Sequence, residues 1–360
     1  MGPFSFAASA SVLPREVRAQ LAQDVADWQG SGSSALELPF NDPAFGDIMA
    51  AAEYDLRVLL DLPSFYQVLF LQGGASAQFG LLPLNLVRRG EHCDYVDSGY
   101  WSRRAIEAAS SNCSVEVIAT GDGARLPPPS SWRRSSNAAY CHFTSNETAE
   151  GLQFHEFPEL GGVPLVADMT ADFLTRPLPV ERFGLIYASA QKNLGAAGLT
   201  IVVLRRELLG RARPGIPAPF DYARQARALS KVNTPPTFAI LVAARMLRWL
   251  RDNGGLAACM IRNKRKSERL YAAIDGSGFF YCPVALANRS SVNVCFRAPT
   301  EELEESFLKA AEAEGLLHLR GHPRIGGLRA SLYNAMPEEG VDALTSFIVD
   351  FTSAYRRRRA

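Results

Sequence analysis

Three short segments of this 360-residue chain hold residue types that could do chemistry together. The first is Gln72-Gly73-Gly74-Ala75-Ser76-Ala77-Gln78-Phe79, which follows a strand-like apolar run and opens a helix-like one. Small residues at such a turn let backbone N–H groups approach a ligand, and a helix start favours an anion, most naturally a phosphate. The second is Ala167-Asp168-Met169-Thr170, where Asp168 ends a strongly apolar run. A carboxylate there is a helix cap, a turn former, or a buried counter-ion at the edge where open α/β sheets bind ligands. The third is Tyr187-Ala188-Ser189-Ala190-Gln191-Lys192-Asn193-Leu194-Gly195. Lys192 lies between two apolar runs among small residues, a setting where desolvation depresses the pKa and exposes a nucleophilic amine.

Each segment alone has an ordinary explanation. A strand-to-helix turn needs small residues anyway, and a lone lysine is usually solvated. Taken together they match what pyridoxal 5′-phosphate needs: a Schiff-base lysine, a carboxylate on the pyridinium nitrogen and a phosphate cradle. The other glycine-rich stretch, Gly30-Ser31-Gly32-Ser33-Ser34, follows a helix rather than a strand and reads as a loop.

The surrounding pattern supplies elements to position these groups. Apolar runs at Tyr66–Leu71, Asp94–Val96, Val115–Ala119, Ala138–Phe143, Val163–Ala167, Leu185–Tyr187 and Leu199–Leu204 read as strands. The last three are continuous enough to be buried on both faces. Helical spacing of Val17, Leu21, Val25 and Trp28, and helical runs between strands, predict an α/β domain with a mainly parallel sheet of seven-stranded type. A long helix over 236–253 should stop at Gly254-Gly255. Beyond it, helices over 263–274, 300–314 and 337–355 and strands over 291–296, 316–320 and 327–333 predict a smaller α+β domain. Arg356–Arg359 reads as a frayed, solvated tail. The expected division is an N-terminal segment, 1–12, joining the small domain, a large domain over 13–255 and a small domain over 256–360.

Composition narrows the class. The 38 basic and 37 acidic residues give a net charge of +1, which does not suit an electrostatic nucleic-acid binder. No apolar run is long enough for a membrane span, and the N-terminus lacks a signal-peptide pattern, so a cytoplasmic location is expected. Six cysteines without CxxC pairing and five histidines without an HExxH pattern argue for reduced core thiols and against a metal site.

Longer motifs in order carry a family resemblance. They are Leu13-Pro14-x-Glu16-Val17, Asp94-Tyr95-Val96-Asp97-Ser98-Gly99-Tyr100-Trp101, Ser145-Asn146-Glu147-Thr148 and Asp172-Phe173-Leu174-Thr175-Arg176-Pro177. Ala190-Gln191-Lys192-Asn193-Leu194-Gly195, Asn233-Thr234-Pro235-Pro236-Thr237-Phe238 and Arg329-Ala330-Ser331-Leu332-Tyr333-Asn334 complete the set. The chain resembles, nearly end to end, the phosphoserine aminotransferases, class-V enzymes of fold type I. The resemblance implies a homodimer with shared active sites that moves an amino group between an amino acid and a 2-oxo acid. It implies that Lys192 carries the cofactor and moves the Cα proton, and that Asp168 keeps the pyridinium protonated. Trp101 would stack on the ring, Thr148 would bond its phenolic oxygen side, and Ala75, Ser76 and Gln191 would hold the phosphate. Asn233 and Thr234 would complete the phosphate site from the second subunit, and Arg329 would pair with the substrate α-carboxylate.

The departures from the family pattern are concentrated. Its His-Arg-Gly segment is replaced near Phe40-Asn41-Asp42, its Gly-Gly-Gly-Arg-Gly by Gly73-Gly74-Ala75-Ser76-Ala77, and its Gly-His-Arg by Gly321-His322-Pro323. Its Ser-Ala-Gly-Pro becomes Ala7-Ala8-Ser9-Ala10. Three cationic positions thus become Asn41, Ser76 and Pro323, around a substrate pocket expected to include Phe40, Asn41, Ser9, His322 and Arg329. Each lost charge-assisted bond to a phosphate is worth about 1.5–3 kcal/mol. Asp42 would add repulsion if it faced the pocket, and Arg324 or Arg103 could supply compensating cations. The expectation is a paralogue acting on a substrate other than phosphohydroxypyruvate. The alternatives are phosphoserine aminotransfer with relocated cations, another reaction of the cofactor (elimination, substitution or decarboxylation), and a non-catalytic scaffold.

Overall fold

Side-chain alternation in three neighbouring strands determines how the helices stack around the sheet. In the computed structural model, which describes residues 2–133 and 135–359, the chain opens with β1 (Phe4–Ser5), α1 (Arg15–Ala26) and α2 (Pro43–Leu60). Strands and helices then alternate as β2 (Tyr66–Gln72), α3 (Ala75–Leu86), β3 (His92–Asp97), α4 (Tyr100–Ser110), β4 (Ser114–Thr120) and β5 (Cys141–Thr144). A small hairpin, β6 (Asn146–Glu147) and β7 (Leu152–Gln153), precedes β8 (Leu165–Asp168), β9 (Phe183–Ser189) and β10 (Leu199–Arg205). The central sheet has seven strands in the order β2-β10-β9-β8-β5-β3-β4. β10 runs antiparallel to both its neighbours, and the remaining contacts are parallel.

Val68 and Phe70 of β2, Ile186 and Ala188 of β9, and Ile201 and Val203 of β10 enter one apolar cluster with α2 and α6 (Thr237–Asp252). Their alternates Leu69, Leu71, Leu185, Tyr187, Val202 and Leu204 enter a second cluster, with α3 and α4. Successive side chains of a strand point to opposite faces, so strands covered by helices on both sides must be apolar at every position. β4, at the sheet edge, is largely exposed.

After α5 (Tyr222–Arg227) and α6 comes α7 (Gly255–Gly276), then β11 (Asn293–Phe296), α8 (Glu301–Ala313), β12 (Leu316–Leu317), β13 (Arg320–His322), β14 (Gly326–Ser331) and α9 (Glu338–Arg359). A three-stranded sheet, β11-β14-β13, packs with α7, α8 and α9 around a third apolar cluster built on Phe280, Phe296 and Phe307. β1 pairs in parallel with β12, and Phe6 is fully buried in that third cluster. Gly254 and Gly255 do end α6, because both adopt positive φ. The next helix begins at Gly255 itself, some eight residues earlier than its sequence pattern suggested. α7 therefore contributes Leu256 and Cys259 to the first cluster and Leu270 and Ile274 to the third. The arginine-rich end is not frayed: α9 continues to Arg359, and Arg356 donates to the Ser277 carbonyl at 2.7 Å.

Candidate active site

The strands deliver the chemistry to one edge. Thr144, Asp168 and Ser189 close β5, β8 and β9 at the same side of the sheet. The loops beyond them line a cavity of about 560 Å³ that includes Asp168, Thr170, Gln191 and Lys192. Asp168 is buried, and its Oδ1 accepts the Thr170 N–H at 2.9 Å. Burial holds its carboxyl above the usual range, opposed by the Thr170 hydrogen bonds and the Lys192 charge. Burial also pushes the Lys192 ammonium down to about 8, against the pull of Asp168, with Arg329 adding repulsion. The neutral, nucleophilic amine is thus populated at neutral pH far more than in an ordinary lysine. Behind Asp168, the buried Tyr187 hydroxyl lies 3.0 Å from His142 Nε2, and His142 stacks on Tyr95.

A strap from β6 into the following turn ties three site residues together. Trp101 Nε1–H donates to Thr148 Oγ1 at 2.7 Å, and Arg329 donates from Nη1 to the Thr148 carbonyl at 2.8 Å. Trp101, Thr148 and Arg329 all line the cavity. Arg329 comes from β14, so its guanidinium crosses from the small sheet to the edge of the large one.

Opposite them, Gly74, Ala75 and Ser76 line the cavity at the start of α3, whose N-cap, Gly74, offers no side chain to its first turn. A Cβ on Gly74 would come within 3.5 Å of Ser189 Oγ, so the turn fits closely against β9. The Ser189 hydroxyl also donates to Gln191 Oε1. The N-terminal stretch Ala7-Ala8-Ser9 forms another wall. It is held by Ser11 N–H on the Gln191 carbonyl at 3.0 Å and by the Tyr333 hydroxyl on the Ala8 carbonyl at 2.7 Å.

The structure thus brings together Lys192, Asp168, Ala75, Ser76, Trp101, Thr148, Gln191, Ser9, His322 and Arg329. It does not place four other expected residues on this cavity. Phe40 packs against the first apolar cluster and Asn41 is exposed. Asn233 is half-buried, with its Oδ1 3.4 Å from Gln225 Nε2, and the Thr234 carbonyl accepts from Gln72. Asp42 is the N-cap of α2, accepting the Ala44 N–H at 2.8 Å, and does not line the cavity. Neither Arg324 nor Arg103 lines it, and Arg103 pairs with Asp97 at 3.0 Å. Sequence inspection passed over Arg320 and His318, which do line it, and the buried pair Glu147 and Glu150 beneath Trp101. The odd placement of two glutamates in an otherwise uncharged run, Ser145 to Gly151, was the available signal.

The residues present fit pyridoxal 5′-phosphate: a buried amine with a depressed pKa, a buried strand-end carboxylate, an uncapped helix start and a flat indole share one cavity. When bound, that cofactor supplies an electron sink for the bond-breaking at the amino-acid Cα. With it bound, Lys192 would offer its nitrogen as nucleophile and proton carrier, Asp168 its charge as counter-ion, and Arg329 a forked donor for a carboxylate.

Fold and site together define a pyridoxal 5′-phosphate-dependent aminotransferase of fold type I. The class-V aminotransferase family model matches residues 4–344. The chain belongs to the phosphoserine aminotransferase family within that class. It is 48% identical over 352 residues to the phosphoserine aminotransferase of Laribacter hongkongensis, covering 97% of this chain and 98% of the relative. The Azotobacter vinelandii phosphoserine aminotransferase is 47% identical, with 97% of each chain covered. A solved phosphoserine aminotransferase from Bacillus circulans subsp. alkalophilus gives a TM-score of 0.95 at 39% identity, covering 97% of this chain and 98% of that one. A phosphoserine aminotransferase solved in a study of radiation damage to its Schiff base gives 0.96 at 38%, covering 98% and 99%.

Proposed function

We propose that this aminotransferase accepts an amino-acid and 2-oxo-acid pair other than phosphoserine and phosphohydroxypyruvate. Lys192 and Asp168 act on the cofactor, Trp101 stacks on its ring, and Thr148 bonds the phenolic oxygen side. Ala75, Ser76 and Gln191 hold its phosphate, joined by Asn233 and Thr234 of a second copy. Arg329 takes the substrate α-carboxylate, and Phe40 and Asn41 reach the distal pocket of the neighbouring copy, with His322 and Ser9 beside them. The division into a large domain to about residue 255 and a small domain beyond it, with residues 1–12 added to the latter, belongs to the same reading.

The observation that carries it is the charge at the distal end. Among the described residues lining the cavity, the Lys and Arg side chains are Lys192, Arg320 and Arg329. Arg320 is paired by both its Nη groups with Glu305, one contact being 2.7 Å, in a solvent-exposed ion pair. Pro323 is exposed and donates nothing. A desolvated phosphate dianion needs several charge-assisted partners.

A second reading, phosphoserine aminotransfer itself, is supported by 48% identity to a curated phosphoserine aminotransferase over 97% of the chain. Turnover of phosphoserine with 2-oxoglutarate, set against a panel of unphosphorylated amino acids, separates the two. The first reading expects kcat/KM for phosphoserine to fall below that of at least one unphosphorylated donor by about 100-fold, the worth of one or two lost charge-assisted bonds. Preference for phosphoserine overturns it.

A further inference from the structure

The helix that carries Trp101 is capped from outside itself. Gly99 precedes α4 and has no side chain to cap with. Its first N–H groups are nevertheless satisfied. Tyr100 N–H donates to Glu150 Oε1 at 2.8 Å, Trp101 N–H to Glu147 Oε2 at 2.8 Å, and Ser102 N–H to Glu147 Oε1 at 2.9 Å. The Ser98 hydroxyl adds a bond to Glu147 Oε1 at 3.0 Å. Glu147 is fully buried and Glu150 is 7% exposed. Burying two carboxyls beside each other is costly, and the helix dipole and these bonds offset only part of the cost. An Asp or Ser at the N-cap would satisfy the helix far more cheaply. Here it would collide, because a Cβ on Gly99 would meet Glu150 Oε2 at 2.9 Å.

The costly arrangement has a geometric consequence that a local cap would lack. Glu147 and Glu150 flank Thr148 in the chain. Thr148 binds the Trp101 indole through its hydroxyl and Arg329 through its carbonyl. Glu147 thereby closes a short ring of bonds: carboxylate to Trp101 backbone, Trp101 indole to Thr148 hydroxyl, Thr148 backbone to Glu147. The indole cannot swing away without breaking it, and the carbonyl that Arg329 uses belongs to a residue the ring holds.

We propose that Glu147 is a positioning residue for transamination, setting the Trp101 indole and the Arg329 guanidinium as one unit. This rests on the roles given above to Trp101 and Arg329.

The test uses holoenzyme variants Glu147→Gln, Glu150→Gln and, as a control on the exposed face of α4, Glu107→Gln. The readouts are the visible circular dichroism of the bound cofactor and the separate kcat and KM for the best amino donor. Glu147→Gln replaces one of two backbone acceptors by a donor, so KM should rise about tenfold with a smaller change in kcat. The dichroism should weaken, and Glu107→Gln should match wild type. Should Glu147→Gln not fold, Glu147→Asp, which keeps the charge but draws the carboxylate back from the Trp101 and Ser102 N–H groups, is expected to move both readouts in the same direction, while Glu150→Gln, which keeps the Glu147 bonds, should move them less. Wild-type KM and dichroism in whichever Glu147 variant folds overturn the proposal, whatever its melting temperature. Arg329→Lys and Trp101→Phe distinguish the layers. If these two leave KM and dichroism unchanged, the underlying roles fail and the proposal falls with them. If they alter both while Glu147→Gln does not, the proposal alone is overturned.

Discussion

The backbone N–H of Asn334 donates to Asn193 Oδ1 at 3.1 Å, one residue beyond the candidate Schiff-base lysine. Asn193 also donates from Nδ2 to the Ala171 carbonyl at 2.9 Å. Asn334 in turn donates to the Leu174 carbonyl at 2.9 Å and accepts from Asn263 of α7 at 2.8 Å. The loop after β14, which presents Arg329, is therefore bonded directly to the loop presenting Lys192, so the candidate substrate anchor and the candidate nucleophile share one frame.

Asn193→Ala removes both bonds and leaves a buried N–H and a buried carbonyl unpaired. Stability should fall by about 2–4 kcal/mol. Equilibrium urea unfolding of the holoenzyme measures this, and a loss under about 0.5 kcal/mol would show the bridge to be dispensable.

Lys192 carries its proton to about 8. The amine that must attack the cofactor aldehyde is the neutral form. Uptake of pyridoxal 5′-phosphate by apoenzyme, followed by visible absorbance, should accelerate as pH rises to about 8 and then level off. Lys192→Ala should abolish the band. A rate independent of pH between about 6 and 8 contradicts the depressed amine.

Burial, reinforced by Glu150, pushes the Glu147 carboxyl up to about 7 from its ordinary 4.5. The folded protein then binds a proton more tightly than the unfolded chain. Its stabilising contribution is complete below the unfolded value and is lost as pH rises through about 7. Glu147→Gln mimics the protonated form. The stability of wild type relative to this variant should fall from about pH 5 to pH 8, measured by denaturant unfolding of apoprotein. A constant gap would mean that Glu147 is ionised throughout.

Lys266, 1% exposed, donates from Nζ to the carbonyls of Leu332, Tyr333 and Met336 at 3.1, 2.9 and 3.1 Å. It fastens the same loop that holds Asn334. Lys266→Met fills most of the volume but strands the Leu332 and Met336 carbonyls, the Tyr333 carbonyl keeping the Met336 N–H, and should cost about 1.5–3 kcal/mol. A melting temperature within a degree or so of wild type would refute that.

The local facts were legible in sequence because they are matters of pattern. Continuous apolar runs announced β8, β9 and β10, since a strand covered on both faces has no room for polar side chains. Asp168 and Lys192 stood out as charges at the ends of such runs, and ordered motifs pointed to the family. The helical continuation through Arg359 was not legible, because four arginines look solvated until α9 is seen to lay Arg356 against Ser277.

What tertiary structure alone decided is the relation between distant segments. No spacing in the chain relates Arg329 to the Thr148 carbonyl, 181 residues away, or shows that Arg320 pairs with Glu305. Glu147 looked like one polar residue in a short motif. Only folding puts it under the first turn of a helix that begins 47 residues earlier and whose own N-cap is glycine. Residue type records what a group can do, and short-range pattern records which face it occupies. Which partner it meets is settled by how sheet and helices pack, and that packing is where the fully assembled site first exists.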